Sequence, residues 1–113
     1  MKLPGVDRAV VDTAKIRDYL LSESHPVGRF KAAFFMRLGY SVDDWETLAV
    51  DVRGHAINNE AVATHNNEYG QKYEVRGRIK GPAGNTALIL AVWIVLDGDD
   101  FPRFVTAFPE ARS

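Results

Sequence analysis

The chain has 113 residues, a formal net charge of −1 and no cysteine. The length is typical of one domain, so we expect a single domain over residues 1–113. The missing cysteine excludes disulfides, a thiol nucleophile and thiolate metal ligands, and the near-neutral charge lacks the overall basic footprint of nucleic-acid-binding proteins. The N-terminus carries no apolar leader, and the longest apolar run, 87–96, is too short to cross a bilayer. We therefore expect a cytoplasmic protein without a membrane partner.

The first third of the chain predicts two helices. Asp12 is a plausible N-cap for a helix over about residues 13–21. A second helix is expected to begin near Pro26, since proline is favoured at the first helical position, and to end at Gly39. Its predicted core-facing stripe consists of Phe30, Ala33, Phe34 and Leu38.

A third helix is expected to begin after Ser41, which can act as its cap. Apolar residues recur there at i, i+3, i+4 and i+7, as an amphipathic helix requires; they are Trp45, Leu48, Ala49 and Val52. Gly54 and the following INNE stretch predict that the helix gives way to looser chain.

The second half of the chain predicts strands. A strand over 61–66 comes first, and apolar residues then alternate with charged ones over 73–80. The GPAGN turn, 81–85, joins that segment to the apolar run 86–96 as an antiparallel hairpin, and 101–108 forms the last strand. Helices followed by strands indicate an α+β domain, with about three N-terminal helices packed on one face of a roughly four-stranded antiparallel sheet.

A small polar cluster marks the start of the second helix. If Pro26 is its first residue, His25 occupies the N-cap beside free backbone N–H groups, which suits binding of a phosphate. Arg29, four residues on, shares that side of the helix. Lys31 points about 120° away from it, so it joins such a site only if a cleft wraps the helix end. The competing interpretation is a histidine cap with two solvated cations.

The last strand offers a second group of candidates. Strict alternation places Thr106 on one face with Phe104 and Phe108, and Arg103 on the other unless a bulge near Pro102 re-aims it. Thr106 can donate a hydrogen bond to a phosphate, and Phe108 can stack on a base. Equally, Thr106 can be a strand former beside two core phenylalanines.

Several pieces of the chain together resemble a known bacterial group. They are KIRDYLLSESHPVGRFKAAFFMRLGY, EYGQKYEVRGRIKGPAGNTALILAVWIV and DFPRFVTAFP, which cover roughly residues 3–109. This ordered series resembles a family of toxin–antitoxin and polymorphic-toxin domains. That family is similar to the metal-independent ribonuclease toxins related to barnase, EndoU, colicin nucleases and RelE. The resemblance implies helices packed on a four-stranded antiparallel sheet.

The resemblance also implies an activity, namely cleavage of RNA, with transfer RNA or messenger RNA as substrate and a small antitoxin or immunity protein as partner. The H-P-x-G-[KR]-x-K motif matches His25, Arg29 and Lys31, and the terminal threonine matches Thr106, which gives four candidate catalytic residues. Such cleavage needs a base, a donor that stabilises the phosphate charge and an acid. No metal-ligand spacing or P-loop occurs, so no metal or cofactor is expected.

Six further residues are candidates for substrate binding. Tyr69 and Tyr73 match the family's Y-G-x-x-Y pattern and can stack or donate hydrogen bonds, although half-buried sheet aromatics explain them as well. The remaining four are Arg76, Arg78, Arg103 and Phe108. The basic ladder on the strand over 73–80 can follow an RNA backbone, face an acidic antitoxin or be simply solvated. The rival function is therefore a non-catalytic protein-binding module, an inactive toxin homologue that uses the open face of the sheet.

Overall fold

The computed structural model describes residues 1–26 and 29–110 and has the predicted α+β architecture. Helix α1, Thr13–Lys15, continues directly as a π-helical segment, Ile16–Leu20. Ile16 and Leu20 are completely buried, as the predicted helix over 13–21 requires. Asp12 stands at the N-cap position, but its side chain makes no capping hydrogen bond. The backbone around it therefore begins the helix without help from the carboxylate.

Helix α2, Arg29–Arg37, buries a different stripe from the one predicted. Ala32, Phe35 and Leu38 face the core, whereas Phe30 is 70% exposed. Phe30 and Ala33 were thus wrongly assigned to the core, because the helix is rotated so that Ala32 and Phe35 point inward. This rotation also decides which cation at the helix start faces the sheet. The predicted beginning of the helix includes residues 27 and 28, which lie outside the described residues.

Helix α3, Trp45–Asn58, is longer than predicted. It follows a 3-10 turn, Val42–Asp44, so Ser41 precedes the turn and Asp44 occupies the N-cap of the helix. The Thr47 hydroxyl donates a 2.9 Å hydrogen bond to the Asp44 carboxylate. The prediction that the helix loosens at Gly54 was wrong, because packing of Val52, His55 and Ala56 on the sheet outweighs the low helix propensity of one glycine.

Four antiparallel strands form one open sheet in the order β1-β2-β3-β4. Their bounds are Ala61–Asn66, Gly70–Lys80, Thr86–Leu96 and Arg103–Pro109. The predicted hairpin is confirmed, since β2 and β3 pair along their whole length. One face of the sheet carries the core, and the largest fully buried side chain on it is Trp93. Helix α3 packs against β2, and α2 packs against β4, which leaves the opposite face of the sheet open.

A β-bulge interrupts the pairing of β3 with β4 and changes the predicted facing of residues. Val92 pairs with Thr106, but Trp93 pairs with Phe104, so Val105 is an extra residue. Phe104 consequently packs with buried Trp93, while Thr106 points away from Phe104 and meets Lys31 of α2 at this edge strand. The prediction that Thr106 shares a face with Phe104 was wrong for this reason, because the bulge resets the alternation. The same bulge puts Arg103, opposite Ile94, on the same side of the strand as Thr106.

Candidate functional site

A cleft of about 510 Å3 lies where the N-terminal helices meet β4. The strand contributes Val105 and Thr106, two consecutive residues that strict alternation would point in opposite directions. The bulge at Val105 allows both to line the cleft. Helix α1 and its π-helical continuation supply the facing wall, and His25 closes one side. The helical wall consists of Ala14, Lys15, Asp18 and Tyr19.

Lys31 joins the helices to the strand at this cleft. Its Nζ donates to the Tyr19 hydroxyl at 2.6 Å and to Thr106 Oγ1 at 2.9 Å. The same ammonium lies 5.0 Å from the centre of the Tyr19 ring and 5.6 Å from that of Phe108. Within residues 1–26 and 29–110, no carboxylate forms an ion pair with Lys31. A partly buried cation held by hydroxyls and π faces is suited to receive an anionic group.

Tyr19 is a site residue that the sequence did not single out. Burial of the phenol opposes its ionisation, but hydrogen bonds from Lys31 and Thr106 and the charges of Lys31 and Lys15 outweigh burial and lower the pKa of Tyr19. Helical periodicity explains Tyr19 as a neighbour of core residue Ile16, which hides its chemistry. Only a general rule could have pointed to Tyr19 from the sequence. A half-buried tyrosine hydroxyl needs a hydrogen-bond partner.

His25 stands beside Tyr19 at the mouth of the cleft. The two ring centres are 4.9 Å apart, with the rings perpendicular. The Arg29 amide donates a 3.1 Å hydrogen bond to the His25 carbonyl, which is the i to i−4 step of an α-helix. This hydrogen bond ties His25 to the first residue of α2. His25, Lys31 and Thr106 thus come together with Tyr19.

Arg29 lies apart from this group. Its guanidinium carbon sits 4.8 Å from the centre of the exposed Phe30 ring, and Arg29 does not line the cleft. The expectation was that Arg29 lies on the His25 side of the helix and Lys31 points away from it. In the structure, Lys31 faces β4 and Arg29 does not. The reason is the rotation of α2 that buries Ala32 and Phe35.

The predicted binding residues divide into those near the cleft and those tied up elsewhere. Phe108 borders Lys31. Arg103 forms a 3.6 Å ion pair with Asp99 and stacks on Phe101. Arg76 donates to Glu110 at 2.8 Å and lies 3.4 Å from Glu74. Both arginines form ion pairs with neighbouring carboxylates, which weakens them as phosphate ligands.

The two predicted tyrosines lie in different environments. Tyr69 is 66% exposed at the turn between β1 and β2, where its amide donates to the Asn67 side chain. Tyr73 is half-buried and packs against the core, opposite Trp93 in the sheet. Tyr69 is therefore available to a ligand, whereas Tyr73 contributes mainly to packing.

A second concavity, which we call the α3–β2 groove, has a volume of about 310 Å3. It runs between helix α3 and the end of strand β2, where Arg78 is one of its lining residues. Its lining is Val50, Asp51, Gly54, His55, Asn58, Asn59, Arg78, Ile79 and Lys80. His55 is only 4% exposed, and burial lowers its pKa against the opposing effect of the Gly77 and Ile89 carbonyls. The groove and the cleft share no lining residue.

Residues 1–26 and 29–110 contain no group of three or more histidine, aspartate or glutamate side chains arranged to hold a metal ion. The same residues contain no helix of sufficient length and apolarity to span a membrane.

The sequence matches one family model over residues 2–111, described as "Domain of unknown function (DUF6883)". The chain belongs to the DUF6883 family. Curated protein sequences gave no match. Among solved structures, the DUF6883 chain is similar to one from the "Contact-dependent growth inhibition toxin - immunity protein complex from Klebsiella pneumoniae 342", with a TM-score of 0.71 and 23% identity. The similarity covers 95% of this chain and 97% of the other, so the two share a fold over nearly their whole length.

Proposed function

We propose that the chain is a ribonuclease toxin of a bacterial toxin–antitoxin or polymorphic-toxin system that cleaves RNA by metal-independent transphosphorylation. The observation that carries the proposal is the convergence of His25, Tyr19, Lys31 and Thr106 at one cleft, although they come from three separate segments of the chain. A base, an acid, a cation and a hydroxyl donor are the groups that such cleavage requires. The fold shared with a chain of a growth-inhibition toxin–immunity complex supports the same function.

In the proposed reaction, His25 accepts the proton of the ribose 2′-hydroxyl. The 2′-oxygen then attacks the adjacent phosphorus, and the bond from phosphorus to the 5′-oxygen breaks. Lys31 and Thr106 stabilise the charge that accumulates on the non-bridging oxygens. Tyr19 protonates the departing 5′-oxygen, and its lowered pKa makes the phenol a better acid. The products are a 2′,3′-cyclic phosphate and a 5′-hydroxyl.

The charge of the chain bears on the substrate. Net charge is −1, so general attraction to polyanions is weak, and affinity must come from local contacts. Lys15 and Lys31 supply positive charge at the cleft. Outside it, Arg29 and the exposed Phe30 offer a further cation and a ring on which a base can stack. We therefore propose a structured transfer or messenger RNA bound at one place, with a small immunity protein that neutralises the activity.

The decisive experiment incubates purified, partner-free protein with total tRNA and mRNA in EDTA, beside a His25→Ala variant. We expect discrete fragments ending in 2′,3′-cyclic phosphate from the wild type and none from His25→Ala. Arg37→Ala is the matched control, since Arg37 is an exposed cation at the far end of α2, and it should cleave like the wild type. Intact RNA across a range of pH and salt would exclude the ribonuclease.

The alternative function is a non-catalytic module that binds a protein partner. Two observations favour it: the near-neutral charge, and the name of the structural neighbour, which covers an immunity protein as well as a toxin. Expression in bacteria separates the two functions. A ribonuclease toxin arrests growth when it is produced without its partner, whereas a binding module leaves growth unchanged.

A further inference from the structure

The edge of strand β2 is unpaired along the α3–β2 groove. Strand β1 pairs with β2 only as far as Val75, which lies opposite Ala61. Among the described residues, 76–80 therefore have β3 on one side and no strand on the other. An unpaired strand edge presents a row of hydrogen-bonding groups that another strand can complete.

The hydrogen bonds show which backbone groups point into the groove. The Ala61 amide donates to the Met1 carbonyl, at 2.6 Å, and so does not bond to Val75. Ala61 and Val75 are thus a non-hydrogen-bonded pair, and the neighbouring Glu74 directs its N–H and C=O toward β1. Because these directions alternate along a strand, the backbone N–H and C=O groups of Arg78 and Lys80 also point to the side of β2 on which β1 lies. The Tyr40 hydroxyl, which donates to the Lys80 carbonyl at 3.4 Å, agrees with this direction.

A buried histidine with one unpartnered ring nitrogen lines the same groove. His55 Nε2 lies 3.1 Å from the Gly77 carbonyl. Since a carbonyl only accepts, Nε2 carries the proton and Nδ1 is an acceptor. Among the described residues, Nδ1 has no hydrogen-bond partner, although the whole side chain is 4% exposed. The group missing here is a hydrogen-bond donor.

Two cations, Arg78 and Lys80, line the groove together with one carboxylate, Asp51, which accepts a 2.6 Å hydrogen bond from the Tyr40 hydroxyl. Arg78 and Lys80 are exposed, and no carboxylate of the described residues pairs with either. In contrast, the neighbouring Arg76 is engaged by Glu110. A Cβ added at Gly54 would meet no atom within 4 Å, so the helix wall is open at that point.

We propose that an extended, acidic segment of a partner protein binds here by adding a strand to β2 at residues 78–80. Its backbone pairs with the N–H and C=O of Arg78 and with the N–H of Lys80, whose carbonyl already accepts a hydrogen bond from Tyr40. On the open face of the sheet, its acidic side chains lie opposite those two cations. The partner residue that lies between its two acidic residues faces α3. A small hydroxyl or amide side chain at that position donates a hydrogen bond to His55 Nδ1. Strand addition of this kind takes affinity from main-chain hydrogen bonds and specificity from alternate side chains.

The interaction does not depend on the proposed RNA cleavage. The groove and the cleft have separate linings, so a partner bound here leaves Lys31 and Thr106 uncovered by the segment itself. The contact would anchor a partner protein at a place separate from the cleft. Failure of the cleavage experiment and failure of the docking experiment are consequently independent results.

The test uses the full chain labelled with 15N and a capped heptapeptide, Thr-Val-Glu-Ser-Glu-Val-Thr, as the probe. We expect the peptide to shift the amide signals of Arg78 and Lys80 and to slow their hydrogen exchange by about tenfold or more. A peptide with lysine in place of both glutamates should do neither. Gly54→Leu should abolish binding by filling the groove, whereas the matched Gly54→Ala should retain it. A Cβ added at position 54 meets no atom within 4 Å, so the first carbon of either side chain fits without displacing a neighbour.

Three results would overturn the inference. The first is an unchanged exchange rate at Arg78 at saturating peptide. The second is peptide-induced shifts confined to the cleft around Lys31. The third is protection of the same amides by self-association of the chain without peptide, which would identify a second copy as the occupant.

Discussion

The cleft at β4 and the α3–β2 groove differ in whether their polar groups already have hydrogen-bond partners. In the cleft, Lys31, Tyr19 and Thr106 satisfy one another through hydrogen bonds of 2.6 and 2.9 Å. In the groove, His55 Nδ1 has no hydrogen-bond partner among the described residues, and no strand of those residues pairs with β2 beyond Val75. A network that is complete before a ligand arrives is preorganised, and preorganised groups are what catalysis needs. Open hydrogen-bonding groups instead favour docking of another chain.

The two concavities also differ in how the chain builds them. The cleft joins side chains that lie 75 positions apart, Lys31 and Thr106. The groove joins α3 to β2, which follows it in sequence, and its helix wall is open at Gly54, where an added Cβ would meet no atom within 4 Å. Substitutions in the cleft should therefore change chemistry, whereas substitutions in the groove should change binding and local stability.

The largest expected effect comes from removing the charge that holds the cleft together. Lys31→Ala should lower the rate of RNA cleavage by about 10³-fold, because one preorganised donor to the phosphate disappears. Arg29→Ala should cost far less, since Arg29 lies over Phe30 outside the cleft. Single-turnover cleavage of tRNA measures both. Equal losses for the two variants would contradict the distinction that the structure makes between these cations.

A smaller effect is expected at the proposed acid. Tyr19→Phe keeps the ring and removes the hydroxyl, and should slow cleavage by about 10²-fold. Because the Tyr19 pKa lies below its usual value, the protonated phenol is lost as pH rises through that lowered pKa, and wild-type activity should fall there. The Tyr19→Phe variant should lack this alkaline decline in its pH–rate profile. An unchanged alkaline limb would remove Tyr19 from the chemistry.

The smallest expected effect is a pH dependence of stability at the groove. Burial lowers the pKa of His55 in the folded state, so the unfolded chain binds the proton more readily. Stability should be complete above the ordinary histidine pKa of about 6.5 and should decrease as pH falls from there toward the folded-state pKa. His55→Gln should reduce this dependence in thermal unfolding curves. His65→Gln, at an exposed position, should retain it.

The sequence predicts most of the fold because its periods are long and clear. The alternation over 73–80 and the run 86–96 specify the hairpin, and the GPAGN turn specifies its register. The predictions fail where local packing outweighs the hydrophobic periodicity of the sequence. Phe30 is exposed because Ala32 and Phe35 pack better beneath α2, and the helix continues past Gly54 because His55 and Ala56 still face the sheet.

The candidate site is less predictable than the fold for a related reason. His25, Lys31 and Thr106 are accessible from motifs, but their relative placement depends on the rotation of α2 and on the bulge at Val105. Neither is visible as a pattern in a single sequence. Tyr19 is hidden by its helical spacing from Ile16, which gives it a sufficient structural explanation.

The hydrogen bond from Lys31 to Thr106 has a consequence for the timing of synthesis. A nascent chain presents Tyr19, His25 and Lys31 early, but Thr106 is translated 75 residues after Lys31. Until β4 has left the ribosome and paired with β3, the cleft lacks an entire wall. If the chain cleaves RNA as proposed, it would be inactive during its own synthesis. It would become active only after β4 has been synthesised and has paired with β3.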